Sequence, residues 1–356
     1  MFLLISTHTL LKKKHDWSRT YARAPEIHQY LLDCVEKHNL RKHIEFNTEV
    51  KRARFCKETN EWELSVCQAN SVLSRNAPDE YDEKTWSTMR GNILINCLGA
   101  LHTPNIPDFQ GQDLFKGKAV HTAEWQCDND EESEAYYRGK RVGVIGTGAS
   151  AVQAVPELCK YADQVYLFQR TPCWVTPRFD YSYSNWFKQL LDIVPLVDNL
   201  VRFYYYIRQE VLFPLIFTPN RGRRAAFAEK ALKGFLRQSI ENGQYSNDAS
   251  EQEKKMLIEK LTPKYRLGCK RILVHSGYYE SIAKKNVHLI TQPIKCFSEK
   301  GIVVGEQARE IQVDEIIYAT GFKIMHRFPK IYSQEEPSRD LIEEYWQNVP
   351  RAHLGI

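Results

Sequence analysis

Residues Gly139 to Thr171 read GKRVGVIGTGASAVQAVPELCKYADQVYLFQRT, and the parsing of this stretch decides the fold. Val142 to Ile145 is a short apolar run and reads as a buried strand. Gly146-Thr147-Gly148-Ala149-Ser150-Ala151 follows as a G-x-G-x-x-A turn that runs straight into a helix-forming segment. A second apolar run, Val165 to Phe168, ends in Gln169-Arg170-Thr171. Strand, glycine turn, helix and strand together make a dinucleotide-binding fingerprint, which the glycines alone would not. Gly146 permits the tight turn, Gly148 lets a pyrophosphate approach the backbone, and Ala151 lets the helix pack closely on the strand. The first helical N–H groups and the positive end of the helix dipole then face the phosphates.

The end of the second strand selects the dinucleotide. An NAD site places Asp or Glu about 20 residues past the glycines, where it accepts hydrogen bonds from the ribose. Arg170 and Thr171 stand there instead. A guanidinium pairs with a 2′-phosphate and a hydroxyl hydrogen-bonds it, so NADP(H) is expected over NAD(H).

Working outward, 356 residues suffice for two domains or one large one. A hydrophobic content of 43% and a charged content of 26% are those of a globular protein. The net charge of +5 is modest and spread along the chain, and the local LLKKKH and NRGRR clusters read as solvated surface, so no nucleic-acid partner is expected. Nine cysteines without a C-x-x-C pair argue against a zinc site or disulfide scaffold and suit a reducing, cytoplasmic setting. No metal is expected. The N-terminal MFLLISTHTLLKKK has its charges after its apolar residues, the reverse of a signal peptide. Leu196 to Phe217 is rich in aromatic residues but broken by Asp198, Arg202, Arg208 and Glu210, so it reads as a helix in an α-helical cap rather than a membrane span. Its aromatics leave a membrane-surface or hydrophobic-substrate role open.

Ahead of the fingerprint, Asp16-Trp17-Ser18 can cap a segment, and Pro25-Glu26 opens an amphipathic helix with Ile27, Tyr30, Leu31, Cys34 and Val35 at helical spacing. Ile44 to Val50 and Trp62 to Val66 read as strands, the second entered by a polar hairpin turn, KETNE. Gln68 to Arg90 reads as loop. Gly91 to Leu98 (GNILINCL) reads as an apolar strand ending at Gly99. Phe115 to Trp125 reads as a linker carrying one His and one Trp.

That linker carries a resemblance. Phe115, Gly117, His121 and Trp125 form F-x-G-x-x-x-H-x-x-x-W just upstream of the glycine turn. This resembles the fingerprint of the Baeyer–Villiger monooxygenases, flavin enzymes related to the flavin-containing monooxygenases. Gln126 departs from it, the family often having Pro or Asp there. DWSRTYARAPEIHQYL, NTEV, LINCLGALHTPNIPDFQG and Asp314 to Phe322 (DEIIYATGF) are similar to further family segments, so the resemblance covers nearly the whole chain. Lys270-Arg271 matches the family's K-R pair.

The resemblance implies an α/β chain in five pieces. Residues 1–114 would be a partial FAD-binding domain, 115–138 a linker with the fingerprint, and 139–178 with 264–320 an NADP-binding Rossmann domain. Residues 179–263 would be a helical insertion shaping the substrate pocket, and 321–356 the start of a return to the FAD domain. By the same resemblance Lys270 helps bind the 2′-phosphate and Val50 lies against the adenine end of FAD. His121 couples the movement of the domains. Arg271 is the catalytic residue, stabilising the anionic oxygenated flavin and the oxyanion formed with the ketone, a role suited to a permanently cationic bidentate donor. The implied reaction uses NADPH, FAD and O2 to convert a ketone, expected to be apolar, into an ester or lactone. The family's first G-x-G-x-x-G unit and the aspartate before DWS have no counterpart, so a chain truncated at both ends with an incomplete FAD site is expected. Two alternatives stand beside this reading, an N- or S-oxygenating flavin monooxygenase and a non-catalytic NADP-binding protein.

Overall fold

A computed structural model describes residues 14, 16–68, 86–97, 99, 101, 103–207, 210, 222–243, 250–323 and 330–332. Among these the chain opens with α1 (Ala24–Lys37), β1 (Thr48–Cys56), β2 (Glu61–Gln68) and β3 (Ser87–Gly91). It continues through β4 (Lys118–His121), α2 (Asp130–Tyr137), β5 (Arg141–Ile145), α3 (Ala149–Tyr161), β6 (Gln164–Phe168) and β7 (Val175–Thr176). A helical stretch follows, with α4 (Asn185–Ile193), α5 (Pro195–Tyr206), α6 (Gly222–Glu241) and α7 (Glu251–Leu261). Then come β8 (Leu273–Val274), α8 (Tyr278–Ile282), β9 (Val287–Ile290), β10 (Ile294–Ser298), β11 (Gly301–Val304), β12 (Arg309–Gln312), β13 (Glu315–Tyr318) and β14 (Lys330–Tyr332). The chain divides into two units, Met1–His38 with Ile106–Thr320, and Asn39–Asn105 with Gly321–Ile356.

The first unit is built on a five-stranded parallel sheet in the order β4-β13-β5-β6-β9. Numbered from β5 along the chain, the last four strands lie 3-2-1-4, the order of a Rossmann half-sheet with its switch point between β5 and β13. Both faces of β5 are covered, which is why its sequence is an unbroken apolar run. Val142 and Val144 join a core with Val155 and Leu158 of α3, Leu236 and Ile240 of α6, and Tyr278 and Ile282 of α8. On the other face Ile145, Phe168, Ile316 and Tyr318 pack with Phe297, Ile302 and Ile311 of an antiparallel meander, β10-β11-β12. Gly143 is the close-approach point on that side, where a Cβ would meet Phe168, Val313 and Ile302 side chains at 3.3 to 3.6 Å.

Several expectations change here. The expected linker does not behave as one. Residues 118–121 form β4, an edge strand paired along its length with β13, and 130–137 form α2, capped by the Asn129 side chain on the Glu132 N–H. A strand whose partner lies nearly 200 residues later cannot be seen in a local pattern. The α1 helix starts at Ala24, as its proline signal implies, but Asp16 to Ser18 do not cap it. Ser18 donates from its backbone N–H and its hydroxyl to Glu26, at 2.8 and 2.6 Å. Residues 18–21 pair instead with 180–183, through Thr20 N–H to Tyr181 O (2.9 Å), Tyr183 N–H to Ser18 O (3.0 Å) and Tyr21 N–H to Asp180 Oδ1 (3.1 Å). Arg19 and Arg178 both pair with the Asp180 carboxylate.

In the second unit the order is β14-β1-β2-β3. The strand read at Ile44 to Val50 begins only at Thr48, because Asn47 adopts φ +54°, and then runs on to Cys56. Polar Ser87 to Arg90, read as loop, belongs to a strand, Ser87–Gly91, that ladders against β2. Of the strand read at Gly91 to Leu98, only Gly91 lies in a strand among the described residues. Residues 93–97 carry no regular structure, and Ile93 and Ile95 are 80% and 76% exposed. Leu98 lies outside the described residues, as do the N-terminal stretch 1–13 and most of the polar stretch after Gln68.

Candidate functional site

The glycine turn lies at the C-terminal end of β5, between the exits of β6 and β13. Gly146 donates its N–H to Phe168 O at 3.1 Å, and Ala319 donates to Ile145 O at 2.9 Å. Gly146 has φ +113°, and a Cβ there would sit 2.5 Å from the carbonyl oxygen of Ala319. Only glycine satisfies both conditions. At Gly148, by contrast, a Cβ would meet nothing within 4 Å. The turn is thus closed on its sheet side at Gly146 and open at Gly148, the geometry a pyrophosphate needs.

The first intrahelical bond of α3 runs from Val152 N–H to Gly148 O, at 3.0 Å. The N–H groups of Ala149, Ser150 and Ala151 therefore precede the helical ladder. No side chain caps this end, and no acidic residue occupies the first turn. Ala151 is fully buried against the core, as its place in the fingerprint requires. Thr147 faces inward and donates its hydroxyl to Thr171 O at 2.8 Å, tying the turn to the end of β6.

That strand end is held from a second side. Gln169 is buried, takes Ile290 O with its N–H (2.8 Å), and donates Nε2 to Lys260 O at the end of α7 (2.8 Å). Between the two anchors Arg170 is exposed and forms no ion pair among the described residues. Lys270 and Arg271 are likewise exposed, on the loop between α7 and β8, and Lys270 Nζ stands 4.9 Å from the centre of the Tyr265 ring.

The fingerprint residues separate into packing and site-facing groups. Phe115 packs edge-on against Phe297, with ring centroids 6.4 Å apart. A Cβ on Gly117 would meet Asp314 O and the Phe115 ring, each at 2.5 Å. These two residues dock the chain onto the meander side of the sheet. His121 is fully buried at the end of β4, in register with Tyr318, which is in turn in register with Ile145. It therefore shares the sheet edge that carries the glycine turn. Its Nδ1 accepts the Ala123 N–H at 3.1 Å, which leaves the ring proton of the neutral form on Nε2. Trp125 packs at a tilt beside Tyr137 and lines a cleft of about 410 Å3 with Thr122, Asp128, Asp130, Ser150 and Glu157. The structure thus brings Trp125 to Ser150. That cleft carries three carboxylates, Asp128, Asp130 and Glu157, whose charge repels a phosphate, whereas the face at Gly148 is open. Val50 lies in the other unit, on β1 opposite Val66.

Around the site, burial pushes the Cys173 thiol up to about 12, so it stays protonated at neutral pH. Burial, and then the Arg178 charge, hold His275 below the usual imidazole range. Burial also raises the Tyr318 phenol to about 12. Below the sheet the Arg141 guanidinium pairs with both oxygens of Asp314, at 2.7 and 3.1 Å, and holds its carboxyl below the ordinary range. Ala319, Gln169, Trp174 and Tyr265 were not singled out from sequence. Of these only Gln169 had a local signal, its place beside the arginine that ends β6.

The sheet order and the turn define a dinucleotide-binding Rossmann domain. The model of a flavin-binding monooxygenase-like family matches residues 14–194. A Baeyer–Villiger monooxygenase of Pseudomonas aeruginosa is 33% identical over 340 residues, covering 96% of this chain and 57% of that protein. An FAD-binding monooxygenase of Aspergillus niger, ktnD, is 30% identical over 345 residues, covering 97% and 52%. Among solved structures, OTEMO in complex with FAD and NADP superposes with a TM-score of 0.73 at 25% identity, covering 96% of this chain and 64% of that one. Closed cyclohexanone monooxygenase superposes with a TM-score of 0.72 at 26% identity, covering 98% and 67%. The chain belongs to the flavin-binding monooxygenase-like family, among relatives of the Baeyer–Villiger type, as the sequence resemblance implied. It spans about half the length of the curated relatives it matches. No helix among the described residues is long and apolar enough to cross a membrane.

Proposed function

We propose that this chain binds NADPH in an FAD-dependent monooxygenase that inserts one atom of O2 into an apolar ketone to give an ester or lactone. The observation that carries the reading is the switch-point turn, closed at Gly146 and open at Gly148, with Arg170 exposed at the end of the neighbouring strand. Gly148 and the N–H groups of Ala149, Ser150 and Ala151 hold the pyrophosphate, and the dipole of α3 adds to the attraction. Arg170, Thr171 and Lys270 take the 2′-phosphate. Arg271, always charged, stabilises negative charge on the oxygen as it is transferred to the ketone. His121, on the sheet edge that carries the turn, positions the end of β4, and by resemblance Val50 lies against the adenine end of FAD.

Bound FAD would supply hydride acceptance and oxygen activation. Gly146–Ala151 is the single strand, glycine-turn and helix cradle among the described residues, and its exit at Arg170 suits NADP. None of the described residues forms a second glycine-turn cradle for the flavin phosphates. All nine cysteines are free thiols, which suits a reducing cytoplasmic setting.

The test is to purify the full chain, add FAD, and follow NADPH oxidation with and without cyclic ketones, analysing products for esters. Folded protein that stays colourless with FAD and oxidises no NADPH in response to ketone would sink the activity. NADPH binding alone would then remain, as a non-catalytic function. Sulfoxide from a sulfide, with no ester from any ketone, would move the assignment to an N- or S-oxygenating enzyme.

A further inference from the structure

The loop that carries Lys270 is held by contacts that nothing in the motif requires. Trp174, almost fully buried, lies four residues past Arg170 and donates its indole N–H to Tyr265 O at 3.1 Å. Its own carbonyl accepts the Leu273 N–H at 2.9 Å. These two bonds bracket residues 265 to 273. Within the bracket Leu267 is buried and its N–H meets Glu229 Oε1 at 2.9 Å, while Gly268, at φ +90°, turns the chain back. The Tyr265 ring packs on a small core of Trp174, Ala228, Leu232 and Leu267. Its face lies under the Lys270 ammonium at 4.9 Å. Lys270 makes no ion pair among the described residues, so the ring is the contact that orients this otherwise exposed, four-carbon side chain.

We propose that Tyr265, anchored through its backbone by Trp174, is a positioning residue that sets the preference for a 2′-phosphorylated cofactor by holding Lys270 in place. The proposal rests on the reading of Lys270 as a 2′-phosphate ligand. The physical basis is that an aromatic face attracts the ammonium through its charge without engaging its N–H donors in hydrogen bonds to protein acceptors. The three N–H donors stay available to phosphate oxygens. Ordering the side chain before binding removes part of the entropy that a free lysine loses on docking. The anchor also ties the Lys270 loop to the segment that leaves Arg170. Two cations on separate stretches of chain are thereby fixed to one strap.

The experiment is calorimetric titration of the full chain with NADPH and with NADH. Tyr265→Leu should weaken NADPH about two- to fivefold, the equivalent of one exposed cation–π contact, and leave NADH unchanged. Tyr265→Phe keeps the ring and should bind both cofactors as the parent does. On a Lys270→Ala background Tyr265→Leu should add nothing. Tyr265→Met, without a π face, carries the same expectation should the leucine variant fail to fold. The proposal is overturned if Tyr265→Leu weakens both cofactors equally, changes neither, tightens NADPH, or keeps its full effect without Lys270. If Lys270→Ala itself leaves the NADPH-to-NADH ratio unchanged, the underlying reading of Lys270 fails instead.

Discussion

Replacing Arg170 by alanine isolates the feature that assigns the cofactor. The side chain is exposed and forms no ion pair among the described residues, while the backbone on either side is held by Gln169 and by Thr147 through Thr171 O. Truncation therefore removes a charge without removing a structural contact. The change in folding stability should stay within about 0.5 kcal/mol, as at an ordinary surface site. Binding should respond very differently. A hydrogen bond to a charged group contributes about 1.5 to 3 kcal/mol, so NADPH affinity should fall about ten- to hundredfold. NADH carries no 2′-phosphate and should bind the variant as it binds the parent. Because the guanidinium is exposed, its contribution is screened, and the NADPH advantage of the parent should shrink as ionic strength rises from about 0.1 M to 1 M, where the Debye length falls from about 10 to 3 Å. Calorimetry with both cofactors, at low and high salt, with a melting curve for each protein, measures all three quantities. Equal loss of NADPH and NADH affinity would refute the 2′-phosphate reading, and a large drop in melting temperature would refute the claim that Arg170 is structurally idle.

Three further outcomes follow from the same geometry. Gly146→Ala places a methyl group 2.5 Å from Ala319 O at φ +113°, and should cost about 2 kcal/mol or more in denaturant unfolding and abolish NADPH binding; a variant of parental stability would contradict the close approach. Gly117→Ala meets Asp314 O and the Phe115 ring and should lose about 1 to 3 kcal/mol while keeping the NADPH-to-NADH ratio, since this glycine docks the chain onto the meander side of the sheet; an altered ratio would refute that division. The Asp314 carboxyl is held low by Arg141, so its contribution is present above the unfolded carboxylate range near pH 3.8 and is lost as pH falls through the lower folded value. Asp314→Asn should therefore be slightly less stable than the parent at pH 7, by under about 1 kcal/mol for so exposed a pair, and the two should converge below about pH 4 in thermal melts. Melting curves that stay parallel across that range would show that the pair contributes nothing.

Much of the cofactor site was legible because its parts are contiguous. Residues 142–145 and 165–168 lie in strands for a local reason, their apolar runs, and 149–161 is a helix for its spacing of Ala151, Val152, Val155 and Leu158. The misread stretches share a different cause. Ile93 and Ile95 carry as strong a strand signal as Val142 and Val144, yet 93–97 form no ladder, because strand propensity expresses packing against neighbours rather than a property of the backbone. Ser87–Gly91 has no apolar pattern and is a strand all the same, since β2 supplies its hydrogen bonds. Lys118–His121 looked like a connection until β13 was laid beside it.

By itself, then, the order of residues from Gly139 to Thr171 determined a strand, a phosphate-sized turn, a helix dipole and a cationic strand end. All of these depend on interactions a few residues apart. Tertiary structure alone decided that Ala319 closes the turn behind Gly146, that β13 enters between β4 and β5 to make the switch point, and that Trp174 and Tyr265 steady Lys270. Those contacts join residues roughly 5 to nearly 200 positions apart, and nearly all depend on the chain folding back on itself, which no local periodicity encodes.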